Sequence, residues 1–117
     1  MARGPYETFT DATWEREVVA SRLPVLVHFF ADWCVPCRTV GRSLESLAAE
    51  HASRLRMGGL DVEANAATAE RYKIQGLPTL LLVEGGKVLE RRVGLMAQEA
   101  LRRFVEDRAN GGPPRAG

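Results

Sequence analysis

This 117-residue sequence predicts an α/β fold, a central mixed β-sheet flanked by helices on both faces. Three observations carry that prediction. Segments of strand and helix periodicity alternate along the chain, in the order βαβαβ followed by a hairpin return and a helix. The run Val25-Leu26-Val27-His28-Phe29-Phe30 is apolar at both parities, as in a central strand buried on both faces. Hydrophobic residues make up 45% of the chain and charged residues 26%, a balance that supports one packed domain.

Asp11 is placed to cap a helix carrying Trp14, Val18 and Val19 on one face. Pro24 stops that region and opens the Val25–Phe30 strand. A second helix starts at the cysteines: Cys37, Val40, Leu44, Leu47 and Ala48 recur at helical spacing, with Arg38, Arg42, Glu45 and Glu50 elsewhere. Residues 55–62 read as a weaker strand, loosened by Gly58-Gly59, and Asn65 is placed to cap a short helix ending near Tyr72. Residues 79–83 form a strand, Gly85-Gly86 a hairpin turn, and Lys87–Val93 the antiparallel return. Glu90-Arg91-Arg92 reads as a solvated edge face that discourages edge pairing. Ala97, Ala100, Leu101, Phe104 and Val105 define the last helix. The domain is expected over 6–109, with flexible ends at 1–5 and 110–117.

Sixteen Lys and Arg stand against fifteen Asp and Glu, a net charge of +1 with no basic patch, so nucleic-acid binding by bulk charge is not expected. A membrane span needs about 18 consecutive apolar residues. The longest runs, 25–31 and 77–83, are short and interrupted by His28 and Thr79. Met1-Ala2-Arg3-Gly4-Pro5 leads into polar residues without the apolar core of a signal peptide. The expectation is a soluble cytoplasmic protein.

Cys34 and Cys37 are the two cysteines, in a C-x-x-C. A lone pair at that spacing does not read as a disulfide scaffold. Structural zinc needs four ligands, and the other soft donors, His28 and His51, fall outside the usual spacing. Three residues apart on a helix places the two Cβ atoms about 5–6 Å apart, a modest contraction from the roughly 3.8 Å of a disulfide. The pair can open and close without refolding. Closing so small a loop stabilises the fold by only about 2 kcal/mol, so reversible chemistry explains the pair better than a staple. Cys34 falls at the strand-to-helix junction, where free N–H groups and the helix dipole favour a thiolate. Pro36 just inside the helix sacrifices no hydrogen bond. Cys37, on the apolar face with Val40 and Leu44, is expected to be more buried and less acidic. An exposed Cys34 thiolate is expected to attack, and a sheltered Cys37 thiol to resolve.

Trp33-Cys34-Val35-Pro36-Cys37 resembles the active-site motif of the thioredoxin family, set at a strand-to-helix junction as in that family. Gly76-Leu77-Pro78-Thr79 is similar to the family's second landmark, a cis-proline loop entering a strand. Ala31-Asp32 and Val93-Gly94 also match, and the similarity spans 6–109. The resemblance implies a thioredoxin fold and a thiol–disulfide oxidoreductase that reduces protein disulfides, with Cys34 as nucleophile and Cys37 as resolving residue. It implies an apolar docking rim of Trp33, Val35 and Pro36 on one side and Leu77, cis-Pro78, Val93 and Gly94 on the other. It further implies a role in electron transport, with a flavin-containing reductase as electron donor. No bound cofactor is expected, since the chain lacks a Gly-rich dinucleotide fingerprint, and a monomer is expected. Two other readings stand beside this one. A disulfide oxidant or isomerase is disfavoured by the polar N-terminus. A partner-binding module would use the rim around Trp33 and Pro78.

Some positions depart from the family. Val35 stands where glycine is usual, which is expected to shift the reduction potential or narrow the substrate range. Arg42 replaces a helix-kinking proline, Phe30 a common tryptophan and Gly59 a lysine. His28 replaces the buried aspartate beneath the cysteines. Resolution requires Cys37 to lose its proton in an apolar pocket, which makes His28 a candidate proton acceptor, kept neutral by burial. The alternative is a core histidine with both nitrogens hydrogen-bonded.

Overall fold

The computed structural model describes residues 4–111, so most of the ends expected to be flexible, 1–5 and 110–117, lie outside the described residues. Strand β1 (Tyr6–Thr8) is followed by a single π-helical turn (Glu15–Val19), β2 (Val25–Phe30), α1 (Val35–His51) and β3 (Arg56–Asp61). Then come α2 (Ala66–Arg71), β4 (Thr79–Glu84), β5 (Lys87–Val93) and α3 (Gln98–Ala109). The sheet order is β1-β3-β2-β4-β5, with the first three strands parallel and β4 and β5 antiparallel to their neighbours. This is the expected mixed sheet.

Side-chain alternation divides the core between two faces. Leu26, Met57, Leu80 and Leu82 pack with Val40, Leu44 and Leu47 of α1 and Leu101, Phe104 and Val105 of α3. Val25, Val27, Phe29, Leu81 and Val83 turn the other way, onto Phe9, Trp14 and Val18. The buried Trp14 indole donates to the Tyr72 hydroxyl at 3.0 Å, so its polar atom is satisfied.

Four features differ from the sequence reading. Strand β1 was not expected; three residues are too few to show a period, and it forms against the edge of β3. Gly58 and Gly59 do not loosen β3. A Cβ on Gly58 would lie 2.5 Å from the Glu7 carbonyl oxygen, and one on Gly59 would lie 2.9 Å from the Phe30 ring. The glycines leave the space into which β1 and the aromatic rings close.

Asp11 does not cap the π-helical turn. Its carboxylate instead accepts from the Thr68 N–H at 2.8 Å, the Thr68 hydroxyl at 2.6 Å and the Ala67 N–H at 3.3 Å, at the start of α2. Asn65 makes no side-chain cap; its Oδ1 accepts from the Asp11 N–H at 2.8 Å and its Nδ2 donates to the Asp61 carbonyl at 3.1 Å. The anionic acceptor takes the positive helix end, and the amide, which both donates and accepts, ties the loops together.

Glu90 is not part of a solvated face; it is 7% exposed. Strand parity turns it onto α3, where its Oε1 accepts from Arg108 Nε and Nη2 at 3.0 and 2.6 Å, and Arg92 lies 2.5 Å from its Oε2. Arg91 turns the other way and donates to the Tyr72 carbonyl at 2.6 Å.

Candidate active site

Three segments meet where β2 and β3 end and β4 begins. Phe30 pairs with Asp61, Phe29 with Thr79, and Thr79 with Val93, which sets 31–37, 76–78 and Val93-Gly94 at the same end of the sheet. Cys34 is the N-cap of α1 in an extended conformation, with its N–H bonded to the Ala31 carbonyl at 3.1 Å. Its Sγ accepts the Cys37 N–H at 3.3 Å, so an otherwise free helix-terminal donor is aimed at that sulfur. Cys34 and Cys37 are joined by a disulfide, their Cα atoms 5.3 Å apart, so the pair stands in its oxidised form. The contrast in exposure is far smaller than expected: Cys34 is 5% exposed and Cys37 2%. The bond to Cys37 and the N–H contact hold the Cys34 sulfur against the helix end. The asymmetry between the two sulfurs lies in that donor, not in access.

The exposed surface here is apolar. Trp33 and Val35 are each 66% exposed, Val93 62% and Leu95 63%; Pro36 is exposed too, Leu77 half-buried and Pro78 buried. The Leu77–Pro78 bond is cis, as the resemblance implied. Gly94, at φ +98°, donates its N–H to the Pro78 carbonyl at 2.8 Å, which joins the two parts of that side; this backbone conformation favours glycine. Trp33 donates from its indole nitrogen to Glu63 at 2.9 Å, and Arg38 donates to the Asp32 carbonyl at 2.8 Å. The sequence reading missed Glu63 and Leu95. Glu63 sits in an aperiodic loop that only the sheet brings to Trp33, whereas Leu95 directly follows Val93-Gly94 and could have been included.

His28 lies on the α1 face of β2 and is 2% exposed. Burial lowers its pKa to about 4, which leaves the imidazole neutral at neutral pH. The Tyr6 hydroxyl lies 3.2 Å from Nδ1, while the buried Nε2 has no hydrogen-bond partner among the described residues. His28 therefore differs from a core histidine bonded at both nitrogens. It lines a cleft of about 600 Å³ together with Cys37, Tyr6, Gly41 and Glu45. Tyr6 was invisible in the sequence, since β1 was. At the other end of α1, Glu50, His51 and Glu106 bring ligand atoms within 4.8 Å of one another. The Arg102 guanidinium already lies 3.7 and 3.4 Å from the two carboxylates and offsets part of their charge.

The thioredoxin family model matches residues 5–107. A thioredoxin of Acidithiobacillus ferridurans is 39% identical over 97 residues, covering 83% of this chain and 90% of that protein. A thioredoxin of Mycobacterium tuberculosis is 41% identical over 98 residues, 84% of each chain. The bifunctional thioredoxin reductase/thioredoxin of Mycobacterium leprae is 39% identical over 98 residues, 84% of this chain and 21% of that protein. Sheet order, the position of the cysteine pair and these matches agree: the chain belongs to the thioredoxin family and is a thiol–disulfide oxidoreductase, a protein-disulfide reductase whose redox pair is Cys34 and Cys37.

Proposed function

We propose that Cys34 is the attacking sulfur and Cys37 the resolving one. Substrate sits between Trp33, Val35 and Pro36 on one side and Leu77, Pro78, Val93 and Gly94 on the other. The observation that carries this reading is the Cys37 N–H aimed at Cys34 Sγ. In the reduced protein that donor and the helix dipole stabilise negative charge on Cys34. The Cys34 thiolate attacks the substrate disulfide, forming a mixed disulfide and releasing one substrate thiolate. Cys37 then attacks Cys34 Sγ, giving up its proton in the same step; the Cys34–Cys37 bond closes and the second substrate sulfur leaves.

His28 accepts the Cys37 proton, a role supported by its neutral state and the cleft they share. A base with so low a pKa takes the proton as the S–S bond forms, not beforehand. A flavin-containing reductase restores the dithiol in an electron-transport chain; the Mycobacterium leprae relative, whose name joins a reductase to a thioredoxin, supports such a partner. A radius of gyration of 12.8 Å fits one packed domain. Among the described residues no helix is long and apolar enough to cross a membrane. The reaction fits the cytoplasm, where dithiols are kept reduced.

Single-turnover reduction of insulin tests the roles of the two sulfurs. Cys34→Ser is expected to form no adduct, and Cys37→Ser to attack once and remain as a trapped mixed disulfide. The opposite pattern would exchange the two roles.

A further inference from the structure

We infer that Tyr6 sets the tautomer of His28, holding the imidazole proton on Nδ1 so that the buried Nε2 keeps a bare lone pair on a residue that lines the same cleft as Cys37. The inference rests on the reading of His28 as proton acceptor and makes Tyr6 a positioning residue for it. A neutral imidazole carries one N–H and one lone pair, and its partners decide which nitrogen has which. The Tyr6 hydroxyl, 3.2 Å from Nδ1, is the one group hydrogen-bonded to the His28 side chain among the described residues.

Two arrangements satisfy that bond. With the phenol as donor, Nε2 carries the proton and becomes a buried donor without an acceptor. With Nδ1 as donor to the phenolic oxygen, Nε2 is a bare acceptor and the phenolic O–H turns elsewhere. A proton on Nε2 would be an orphaned buried N–H, whereas Tyr6 is only partly buried and lines two clefts, where its O–H can turn to solvent; that difference selects the second arrangement. Glu45 favours it as well. Glu45 lines this cleft together with Tyr6, and both also line the neighbouring one with Pro5, Phe30 and Gly59. Burial raises the Tyr6 pKa and the Glu45 charge adds to it, so the phenol stays protonated with its O–H dipole drawn toward Glu45. The other charged groups on the cleft are Arg38 and Arg42 of α1 and Asp32 of the loop after β2.

In the resolving step the Cys37 S–H proton passes to Nε2 and Cys37 Sγ bonds to Cys34 Sγ. The bond from Cys34 to the substrate sulfur breaks, and the departing thiolate takes up the proton from the imidazolium. The imidazolium carries protons on both nitrogens and still donates from Nδ1 to Tyr6, so Tyr6 serves both states without moving.

Nitrogen-15 NMR of the full chain at neutral pH reads the tautomer directly. The wild-type protein is expected to show a protonated Nδ1 and a bare Nε2. Tyr6→Phe, which keeps the ring, is expected to yield a mixture of tautomers and to slow resolution about tenfold, leaving the first attack by Cys34 unchanged. In a His28→Leu background the Tyr6→Phe change is expected to add nothing. A protonated Nε2 in the wild-type protein overturns the inference without any variant, even where His28→Leu slows resolution. Undiminished resolution in a folded His28→Leu protein overturns the reading of His28 itself, and with it the role given to Tyr6.

Discussion

Two buried polar pairs face the same side of the sheet and are built on opposite terms. Glu90 of β5 has one carboxylate oxygen held by Arg108 of α3 and the other by Arg92, and the Phe104 ring lies 5.0 and 5.5 Å from the two guanidinium carbons. His28 of β2 has one bonded nitrogen and, among the described residues, one without a partner, and it lines a cleft. The difference follows from what can be buried. An unpaired carboxylate or guanidinium costs several kcal/mol, so buried charge comes as a closed set. An imidazole can shed its charge and stay buried half-paired, at a cost of about one hydrogen bond. Arg56 of β3, bonded to Glu7 at 2.7 and 2.9 Å and to Glu17 at 2.9 Å, repeats the closed form across the sheet from β5. In the paired sets each carboxylate is matched by a guanidinium and keeps its charge, whereas a half-paired neutral base keeps a lone pair able to take a proton.

Breaking the closed set has the largest expected effect. Glu90→Leu leaves the Arg108 guanidinium buried without its carboxylate and is expected to destabilise the fold by about 3–5 kcal/mol in urea unfolding. Adding Arg108→Met is expected to recover most of that loss, because the pair is then replaced by apolar volume. A Glu90→Leu protein as stable as the wild type would mean that Arg108 swings out to water.

Acid sharpens the other side of the comparison. His28 titrates at about 4 when folded and near 6.5 when unfolded, so the unfolded chain takes the proton first. Its contribution to stability is full above about pH 6.5, falls as the pH drops, and is lower by about 3 kcal/mol below pH 4. His28→Leu is expected to flatten that part of the urea midpoint against pH. An unchanged slope would assign the acid loss to other groups.

Asp11→Ala is expected to have the smallest effect, lowering the urea midpoint by removing the acceptor at the start of α2. The Thr68 hydroxyl, followed by backbone N–H groups, depresses the Asp11 pKa. The wild-type advantage is therefore present at neutral pH and fades as the carboxyl protonates in acid. A wild-type midpoint in the variant would show that water caps α2 equally well.

Local pattern was sufficient for β2, α1, β4, β5 and α3: the two helices carry apolar residues at helical spacing, β2 and β4 are continuous apolar runs, and β5 follows a Gly-Gly turn. The cysteine pair was legible for a related reason: its chemistry is local, two thiols three residues apart at a helix start. Pro78 and Gly94 were legible through the family motifs, and the sheet register brings them to the cysteine end. Strand β1, the exchange of Asp11 for Asn65 at α2, the burial of Glu90 and the Tyr6–His28 bond were decided by tertiary structure alone. The bonded partners stand 57 residues apart for Asp11 and Thr68, 18 for Glu90 and Arg108, and 22 for Tyr6 and His28. A glutamate in a charged run, or a tyrosine in a segment too short to alternate, reads the same in sequence whether exposed or buried. Local pattern reports how much apolar surface a segment must cover. Which polar group meets which depends on hydrogen bonds that act over about 3 Å between distant segments, and no period encodes them.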